Sequence, residues 1–237
     1  MAQLVAATAE LDPTVFRRLS RLADNARQAA VLMLFAEDEN GPDVLLLRRS
    51  DSLGSHPGQV AFPGGSAEED DGGPVGTALR EAAEEVGLVP AGVRPLALLP
   101  KVYVPVSGFD VTPVLAYWQE PSAVRVVDIA ETAAVARVPI AHLVDPANRL
   151  QVRHPSGYIS PAYLVPGMLI WGFTASLLTV LLSIGGWDRP WDATNIQDLD
   201  TAWQLVGQQR PPAEDGSGVT EATAQADGTV PPAIAEV

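Results

Sequence analysis

The chain has 237 residues, enough for one domain with a substantial core and a terminal extension. Its 29 acidic and 15 basic side chains give a formal net charge of −14, which repels phosphate backbones and argues against nucleic-acid binding. The absence of cysteine excludes disulfides, thiolate catalysis and cysteine-based zinc sites, and it fits a cytoplasmic location.

Residues 1–27 are predicted to form an N-terminal helix and a lead-in to the main domain. The helix is expected over residues 11–24, where Leu11, Val15, Leu19 and Leu22 recur at helical spacing. The first ten residues lack a basic region followed by an apolar core, so no signal peptide is expected.

The chain from residue 28 to residue 118 is predicted to contain four strands and one helix. Apolar runs bounded by turn residues indicate the strands, and the spacing of apolar residues indicates a helix that ends at Gly87. Residues 48–74 are rich in Gly, Pro, Ser and Asp and are predicted to be a loop. The elements are strands Ala29–Ala36 and Val44–Leu47, helix Val75–Val86, and strands 93–104 and 111–118.

The next part of the chain is predicted to hold two short elements, a hairpin and an apolar helix. These are a helix at Ile129–Ala136, an edge segment at Pro139–Leu143, a hairpin of 149–153 with 157–164, and a helix at Val165–Trp187. The last segment is uncharged and about as long as a membrane-spanning helix. Because Pro166 and Gly167 interrupt its start and no basic cluster flanks it, we expect a buried core helix rather than membrane insertion.

The composition changes after residue 204. Residues 205–237 form a Gly-, Pro-, Ala- and acid-rich segment that we expect to be a disordered tail, because it cannot bury enough apolar surface to offset its chain entropy. Residues 28–204 would then be the main domain. Its mixed order of strands and few helices indicates an α+β fold.

Three carboxylates share one face of the helix predicted at 75–86. Glu81, Glu84 and Glu85 stand at positions i, i+3 and i+4, and Arg80 can hold Glu84 one turn away. The repulsion between these charges would be reversed by a divalent cation, and hard carboxylate oxygens suit Mg²⁺ or Mn²⁺. An acidic cluster alone is more often a solvated helix face, so the surrounding pattern must decide between the two interpretations.

The surrounding positions match a longer motif. Gly65, Arg80-Glu81, Glu84-Glu85 and Gly87-Leu88 resemble the Nudix box, a glycine followed downstream by REUxEExGU, in which U is aliphatic. Asp71 stands at the remaining acidic position, separated from Arg80 by eight residues rather than seven, a spacing similar to that of the coenzyme A pyrophosphatase branch. Gly64 and Gly65 would let the loop backbone approach a metal or phosphates closely.

A second motif precedes the box. Residues 45–65, LLLRRSDSLGSHPGQVAFPGG, resemble the upstream signature of coenzyme A and acyl-CoA diphosphatases, roughly LLTxTSxxxRxxxGxxxFPGG. Leu47 stands where a threonine is common, and Gly54 stands where an arginine is expected. The missing arginine removes a phosphate or substrate contact, for which Arg48 or Arg49 is a candidate replacement.

Further segments are similar to the same branch. These are Val111-Thr112-Pro113-Val114, the acidic residue Glu131, and Trp171-Gly172-Phe173-Thr174-Ala175, which resembles a WGxTA helix start. The resemblance covers residues 28–192 and implies a Nudix-type α/β/α sandwich with a mixed central sheet.

The resemblance also implies an activity. It predicts metal-dependent hydrolysis of the diphosphate bond in coenzyme A or acyl-CoA, giving 3′,5′-ADP and 4′-phosphopantetheine. Alternatives are hydrolysis of another nucleoside diphosphate derivative, such as an oxidised dNTP, ADP-ribose or NADH, and a Nudix-fold binding module without turnover. All the acids of the REUxEE core are present, which argues against the binding module.

The resemblance implies roles for individual residues. Mg²⁺ or Mn²⁺ would be held by Glu81, Glu85, Glu84 and the Gly65 carbonyl. The general base would be Glu84 or Glu131, and Arg80 would support catalysis. Contacts to a small CoA-like nucleotide substrate would come from Arg48, Arg49, Ser50, His56, Gly58, Phe62 and Gly64. The sequence marks no subunit interface, so a homodimer stays open.

Overall fold

The computed structural model describes residues 26–105 and 107–211. The helix predicted at 11–24 and the tail beyond residue 211 lie outside the described residues. Within them, twelve strands and four α-helices are arranged in two sheets with helices packed on their faces.

Eight strands form the central sheet. The path through it is β3-β2-β1-β7-β5, with β4 also pairing with β1, β6 with β7, and β8 with β2. The β1–β7 pair is parallel and the other pairs are antiparallel, so the predicted mixed central sheet is confirmed. The strands are β1 (Arg27–Asp38), β2 (Gly41–Arg49), β3 (Val60–Ala61), β4 (Gly64–Ser66), β5 (Val93–Leu98), β6 (Val102–Val104), β7 (Phe109–Trp118) and β8 (Thr132–Pro139).

One helix covers each face of this sheet. Strand β1 is apolar on both sides, because side chains alternate along a strand. Leu32 and Leu34 pack in a cluster with α1, whereas Met33 and Phe35 pack in a cluster with α3. The α/β/α sandwich is therefore confirmed. The helices of the chain are α1 (Pro74–Val86), α2 (Ile140–Leu143), α3 (Gly172–Ile184) and α4 (Leu199–Leu205).

A second, four-stranded sheet packs against the short helix α4. Its strands are β9 (Arg149–Arg153), β10 (Ile159–Val165), β11 (Met168–Trp171) and β12 (Ile196–Asp198). Trp203 of α4 is buried against this sheet, and the Val206 carbonyl accepts a hydrogen bond from the Gly167 N–H at 3.0 Å. Residues 205–211, which were expected to begin the tail, thus belong to the packed structure.

Two elements differ in type from the prediction. Ile129–Ala136 was expected to be a helix, but Thr132–Pro139 is a strand, because it pairs with residues 43–49 of β2 and buries Thr132 and Val138. The alanines in this segment favour a helix only weakly against such pairing. Pro139–Leu143 was expected to be an edge segment, yet residues after Pro139 form the single helical turn α2.

Other predicted elements have different boundaries. The strand expected over 93–104 is divided into β5 and β6, and the loop over 48–74 contains β3, β4 and a 3₁₀ turn at Glu69–Asp71. The apolar segment Val165–Trp187 holds β11 and the thirteen-residue helix α3 instead of one long helix. None of the helices in the described residues has both the length and the apolarity needed to cross a membrane.

Candidate active site

Helix α1 presents the box carboxylates from a fixed position on the sheet. It begins with Pro74 in the first turn and ends at Gly87, whose φ of 68° lies in the left-handed region that favours glycine. Its apolar side is buried against the sheet, and Ala82 on this side is fully buried. The opposite side carries Glu84, with its side chain 60% exposed, and Glu81, with its side chain 17% exposed.

Arg80 is the centre of a carboxylate network. Its Nε donates to Asp71 Oδ1 at 2.7 Å and its Nη2 to Asp71 Oδ2 at 3.2 Å, so the pair is bidentate. Its Nη1 donates to Glu84 Oε2 at 3.1 Å, and its Nη2 lies 3.2 Å from Glu81 Oε1. The Arg80 hydrogen bonds, with help from the Glu68 backbone N–H, hold the pKa of Asp71 well below its usual range. Arg80 therefore fixes Glu81 and Glu84 through an anchor at Asp71.

Glu85 is the most deeply buried of the three helix carboxylates. Its Oε2 accepts a hydrogen bond from the Gly64 backbone N–H at 3.0 Å. Burial raises the pKa of Glu85 to about 7; the Gly64 hydrogen bond opposes this rise, and repulsion from Glu81 and Glu131 adds to it. The charge of Glu131 thus acts on Glu85, and the assignment of Glu131 to the site stays a prediction.

The two glycines before the box allow the loop to approach α1. A Cβ atom on Gly65 would lie 2.5 Å from Glu81 Oε1, so any larger residue would displace this carboxylate. A Cβ atom on Gly64 would collide with the Ala30 carbonyl, to whose strand Gly64 is paired. Both glycines are therefore required by the packing of the loop, Gly65 against Glu81 and Gly64 against β1. The expected close approach to a metal or phosphates stays a prediction.

The donor set fits a divalent cation. Burial raises the pKa of Glu81 as it does that of Glu85, although Arg80 opposes the rise at Glu81. Two desolvated carboxylates that repel each other are stabilised by a cation with a preference for hard oxygen ligands. Within residues 26–105 and 107–211, no three acidic or histidine side chains already enclose a metal-sized position, because Glu81 is turned towards Arg80 and Glu85 towards Gly64.

The upstream motif contributes one arginine to the site and uses the other elsewhere. Arg49 is among the charges that act on Glu85, and its buried Nε has no hydrogen-bond partner in the described part of the chain. Arg48 instead pairs with Asp51, with its side chain only 9% exposed. Of the two candidate replacements for the missing arginine, Arg49 acts on Glu85, whereas Arg48 is paired with Asp51.

The remaining predicted contact residues build the loop. The Ser50 N–H donates to the Glu131 carbonyl at 2.8 Å, and the Ser50 carbonyl accepts from the Gly58 N–H at 3.3 Å. His56 has a φ of 55° in the same turn, and burial, reinforced by the charge of Arg49, lowers its pKa. The prediction that Phe62 contacts the substrate is wrong. Phe62 is 3% exposed and packs in the core beneath α3, so it offers no surface to a ligand.

Asp71, the bidentate partner of Arg80, was not among the site residues predicted from the sequence. It was noted as the acidic box position, but its role as the anchor of Arg80 depends on the 3₁₀ turn at Glu69–Asp71, which the loop prediction did not contain. The extra residue between Asp71 and Arg80 was the available signal, since it marks an altered turn before the helix.

The fold and this carboxylate site define the class of protein. A profile of the NUDIX domain family matches residues 26–156, more than half of the chain. The chain therefore belongs to the Nudix hydrolases, enzymes that act on acid anhydride bonds in phosphorus-containing compounds and generally use divalent metal cations.

Similar proteins from enterobacteria belong to the same family. The protein named Uncharacterized Nudix hydrolase NudL from Enterobacter sp. (strain 638) is 38% identical over 176 residues, which is 71% of this chain and 88% of that protein. The protein of the same name from Escherichia coli (strain K12) is 36% identical over 176 residues, with the same shares covered. Among solved structures, the Nudix hydrolase RenU from M. smegmatis is 21% identical with a TM-score of 0.48, covering 70% of this chain and 90% of that one.

Proposed function

We propose that this Nudix hydrolase cleaves the diphosphate bond of coenzyme A or an acyl-CoA, releasing 3′,5′-ADP and a 4′-phosphopantetheine product. The observation that carries the proposal is the connection between the upstream motif and the box carboxylates. Gly64 of the motif donates to Glu85, and Ser50 donates to the Glu131 carbonyl. The segment that resembles the coenzyme A signature is thus part of the wall of the hydrolytic site.

Glu81 and Glu85 would hold the divalent cation, with Glu84 and the Gly65 carbonyl nearby. A bound Mg²⁺ or Mn²⁺ supplies neutralisation of diphosphate charge and acidification of water. The chain's own task is to position these groups. Arg80, itself fixed by Asp71, restrains Glu81 and Glu84, and the Gly64 N–H orients Glu85. Such pre-organisation lowers the barrier because little reorganisation is needed during the reaction.

The reaction itself is the attack of water on one phosphorus of the diphosphate. The bridging P–O bond breaks, the bridging oxygen leaves with the other phosphoryl group, and the proton of water passes to a carboxylate. Glu84 and Glu131 are the two candidates for this general base. Arg80 engages Glu84, whereas Glu131 forms no salt bridge within the described residues. We infer that Glu131 accepts the proton.

Hydrolysis of another nucleoside diphosphate derivative is the second candidate function. Gly54 favours it, because a guanidinium is absent at the motif position where the coenzyme A branch is expected to have one. ADP-ribose, NADH and oxidised dNTPs each contain a diphosphate that the same carboxylates could process.

A substrate panel tests both functions. Purified full-length enzyme with Mg²⁺ or Mn²⁺ is incubated with coenzyme A, acetyl-CoA, ADP-ribose, NADH and 8-oxo-dGTP, and the products are separated by chromatography. We expect 3′,5′-ADP from coenzyme A at a rate well above the other turnovers. The Glu85→Gln enzyme, purified in parallel, controls for a contaminating diphosphatase. If coenzyme A is untouched while another diphosphate is cleaved, the second function replaces the first.

Two further expectations stay predictions. These are a cytoplasmic location and a main domain, predicted over residues 28–204, that follows an N-terminal lead-in. The oligomeric state is open, and a homodimer is one candidate. Size-exclusion chromatography with light scattering gives the oligomeric state directly, and limited proteolysis with mass spectrometry locates the domain boundaries.

A further inference from the structure

A cleft with a volume of about 540 Å³ lies between the upstream loop and the second sheet. Its size is within the range of small-molecule sites. Its lining comes from distant parts of the chain, with Gly54 on the upstream loop, Arg27 and Phe109 at the starts of two central strands, Trp171 at the end of β11, and Arg210 after α4.

Two guanidinium groups line the cleft, Arg27 with a backbone carbonyl as its hydrogen-bond partner and Arg210 in a single salt bridge. Arg27 donates from Nη2 to the Ser107 carbonyl at 3.1 Å and lies over the Phe109 ring, 4.1 Å from its centroid. Arg210 donates from Nη1 to Asp200 Oδ1 at 3.1 Å, which leaves its other N–H groups available. No carboxylate of residues 26–105 or 107–211 forms a salt bridge with Arg27. In a chain of net charge −14, this concentration of positive charge indicates an anionic ligand.

An aromatic wall stands beside these cations. The rings of His154 and Trp171 are stacked with centroids 5.8 Å apart and an interplanar angle of 15°. Nδ1 of His154 accepts the Ser156 backbone N–H at 3.1 Å, so the neutral ring carries its proton on Nε2. Burial, reinforced by Arg210, lowers the pKa of His154 and favours this neutral form. A flat wall with a hydrogen-bond donor suits a nucleobase.

The cleft adjoins the hydrolytic carboxylates through Arg49. The Arg49 N–H donates to the carbonyl of Gln59, and Gln59 lines the cleft together with His56. Arg49 also acts electrostatically on both His56 and Glu85. A ligand with its diphosphate at Glu85 would therefore extend past Arg49 into the cleft.

We propose that the cleft binds the 3′-phosphorylated adenosine half of the substrate, with Arg27 and Arg210 at the 3′-phosphate and the Trp171 wall at the base. This proposal rests on the proposed coenzyme A hydrolysis. Because Gly54 lies in the same cleft, the two arginines supply the positive charge that the upstream motif lacks at that position. The specificity of the enzyme would then depend on Arg210, a residue outside both sequence motifs.

The first test measures binding without turnover. Isothermal titration calorimetry on the full chain compares adenosine 3′,5′-bisphosphate with adenosine 5′-monophosphate. We expect wild-type enzyme to prefer the bisphosphate, and Arg27→Ala and Arg210→Ala each to reduce this preference about tenfold, as loss of a charged hydrogen bond to phosphate does. Arg94→Ala, which removes an exposed arginine of β5 outside the cleft, is the matched control and should keep the wild-type preference.

A gain-of-function variant guards against trivial loss through misfolding. Gly54→Arg in the Arg210→Ala background returns a guanidinium to the cleft and is expected to restore part of the bisphosphate preference. If wild type and every variant bind the two nucleotides with the same ratio, the cleft is not the 3′-phosphate site.

Kinetics with coenzyme A and dephospho-coenzyme A separate this proposal from the proposed function. Arg27→Ala and Arg210→Ala should raise KM for coenzyme A more than for dephospho-coenzyme A, with a smaller effect on kcat. If the ratio of the two KM values is the same in the wild type and the variants, the cleft assignment is overturned and the proposed hydrolysis stands. A different result is also informative. If the wild-type enzyme does not cleave coenzyme A but the variants still lose the preference for adenosine 3′,5′-bisphosphate, the proposed hydrolysis is overturned and the cleft assignment stands.

Discussion

At the scale of single residues, the active site concentrates unfavourable electrostatics that the fold must support. Glu85 is buried beside two other carboxylates and has the Gly64 N–H as its direct hydrogen-bond donor. Such an arrangement costs stability in the absence of a cation and is retained because the chemistry needs it. Activity and stability should therefore respond in opposite directions when this charge is removed.

Glu85→Gln is expected to lower diphosphatase activity by at least about 10²-fold, the low end of the contribution of a positioned catalytic group. The amide oxygen of glutamine can still accept the Gly64 N–H, so the thermal midpoint measured with a chelator should stay the same or rise. Glu69→Gln, an exposed carboxylate in the preceding turn, is the control and should change neither quantity. Full activity in Glu85→Gln would remove Glu85 from the site.

The Arg80–Asp71 pair should behave as one unit. Arg80→Ala leaves the Asp71 carboxylate, with its side chain only 5% exposed, without a cation, so we expect a clear drop in the urea unfolding midpoint together with loss of activity. Adding Asp71→Asn should recover part of the stability but not the activity, giving a large coupling in a double-mutant cycle.

The same cycle on an exposed pair provides the comparison. Arg153 and Asp198 lie 3.4 Å apart with side chains 50% and 73% exposed, so their coupling should be close to zero. Additive effects at Arg80 and Asp71 would show that the bidentate pair has no special structural role.

The placement of the box carboxylates on one helix was predictable, and the partners of these carboxylates were not. The spacing of Glu81, Glu84 and Glu85 on a helix was sufficient to place them on one face. Neither the turn that brings Asp71 to Arg80 nor the burial of Phe62 follows from spacing, because both depend on how the loop packs against other elements.

At the scale of elements, helix α3 supports the upstream motif from the opposite face of the sheet. Thr174, which is 6% exposed, donates from Oγ1 to the Val60 carbonyl at 2.9 Å. This hydrogen bond joins the WGFTA segment to the strand that immediately precedes the FPGG turn. The two motifs recognised separately in the sequence are therefore parts of one structural connection.

Thr174→Val tests this connection. Valine preserves the shape of the side chain but leaves the buried Val60 carbonyl without its donor, so we expect a loss of about 1–3 kcal/mol in the free energy of unfolding. Ser176→Ala removes a hydroxyl on the same helix whose partner is the Gly172 carbonyl of the same helix. Its cost should be within about 0.5 kcal/mol. Urea denaturation followed by fluorescence measures both, and equal costs would contradict a special role for Thr174.

Element types were predictable where periodicity was strong. The strands at the start of the domain and the helix carrying the box were expected at nearly their observed positions. The strand β8 was expected as a helix because its alanine-rich sequence has little β-preference, and only its pairing with β2 determines its conformation. The short α2 and β12 are defined by contacts with neighbouring elements, which a local pattern does not contain.

At the scale of the whole molecule, the last described residues pack against the second sheet and line the cleft. Val206 is 7% exposed, and a Cβ atom on Gly58 would lie 2.8 Å from Pro211 Cγ. The composition of this segment is polar enough to resemble the beginning of a tail. Its packing could not be predicted, because it depends on a sheet whose strands are distant in sequence.

Shortening the chain at its C-terminus tests this role. A chain ending at residue 204 should unfold at a lower temperature than a chain ending at residue 211. Its free energy of unfolding should be lower by more than about 1.5 kcal/mol, the smallest value expected for burying one valine side chain. It should also lose the preference for coenzyme A over dephospho-coenzyme A, because it lacks Arg210. Calorimetry and initial rates on the two chains give the comparison, and identical behaviour would place residues 205–211 outside the functional domain.

The parallel pairing of β1 with β7 has a consequence for how the protein is made. Arg27 pairs with Phe109, so the upstream motif and the box are both synthesised between the two central strands. At 5–20 residues per second, β1 emerges from the ribosome on the order of ten seconds before β7 is available. During that interval β1 is apolar on both faces and lacks its central neighbour, so it is a site for mispairing and chaperone capture. The segment between β1 and β7 contains the upstream motif and the box. Its length therefore sets how long the nascent enzyme is most vulnerable to aggregation.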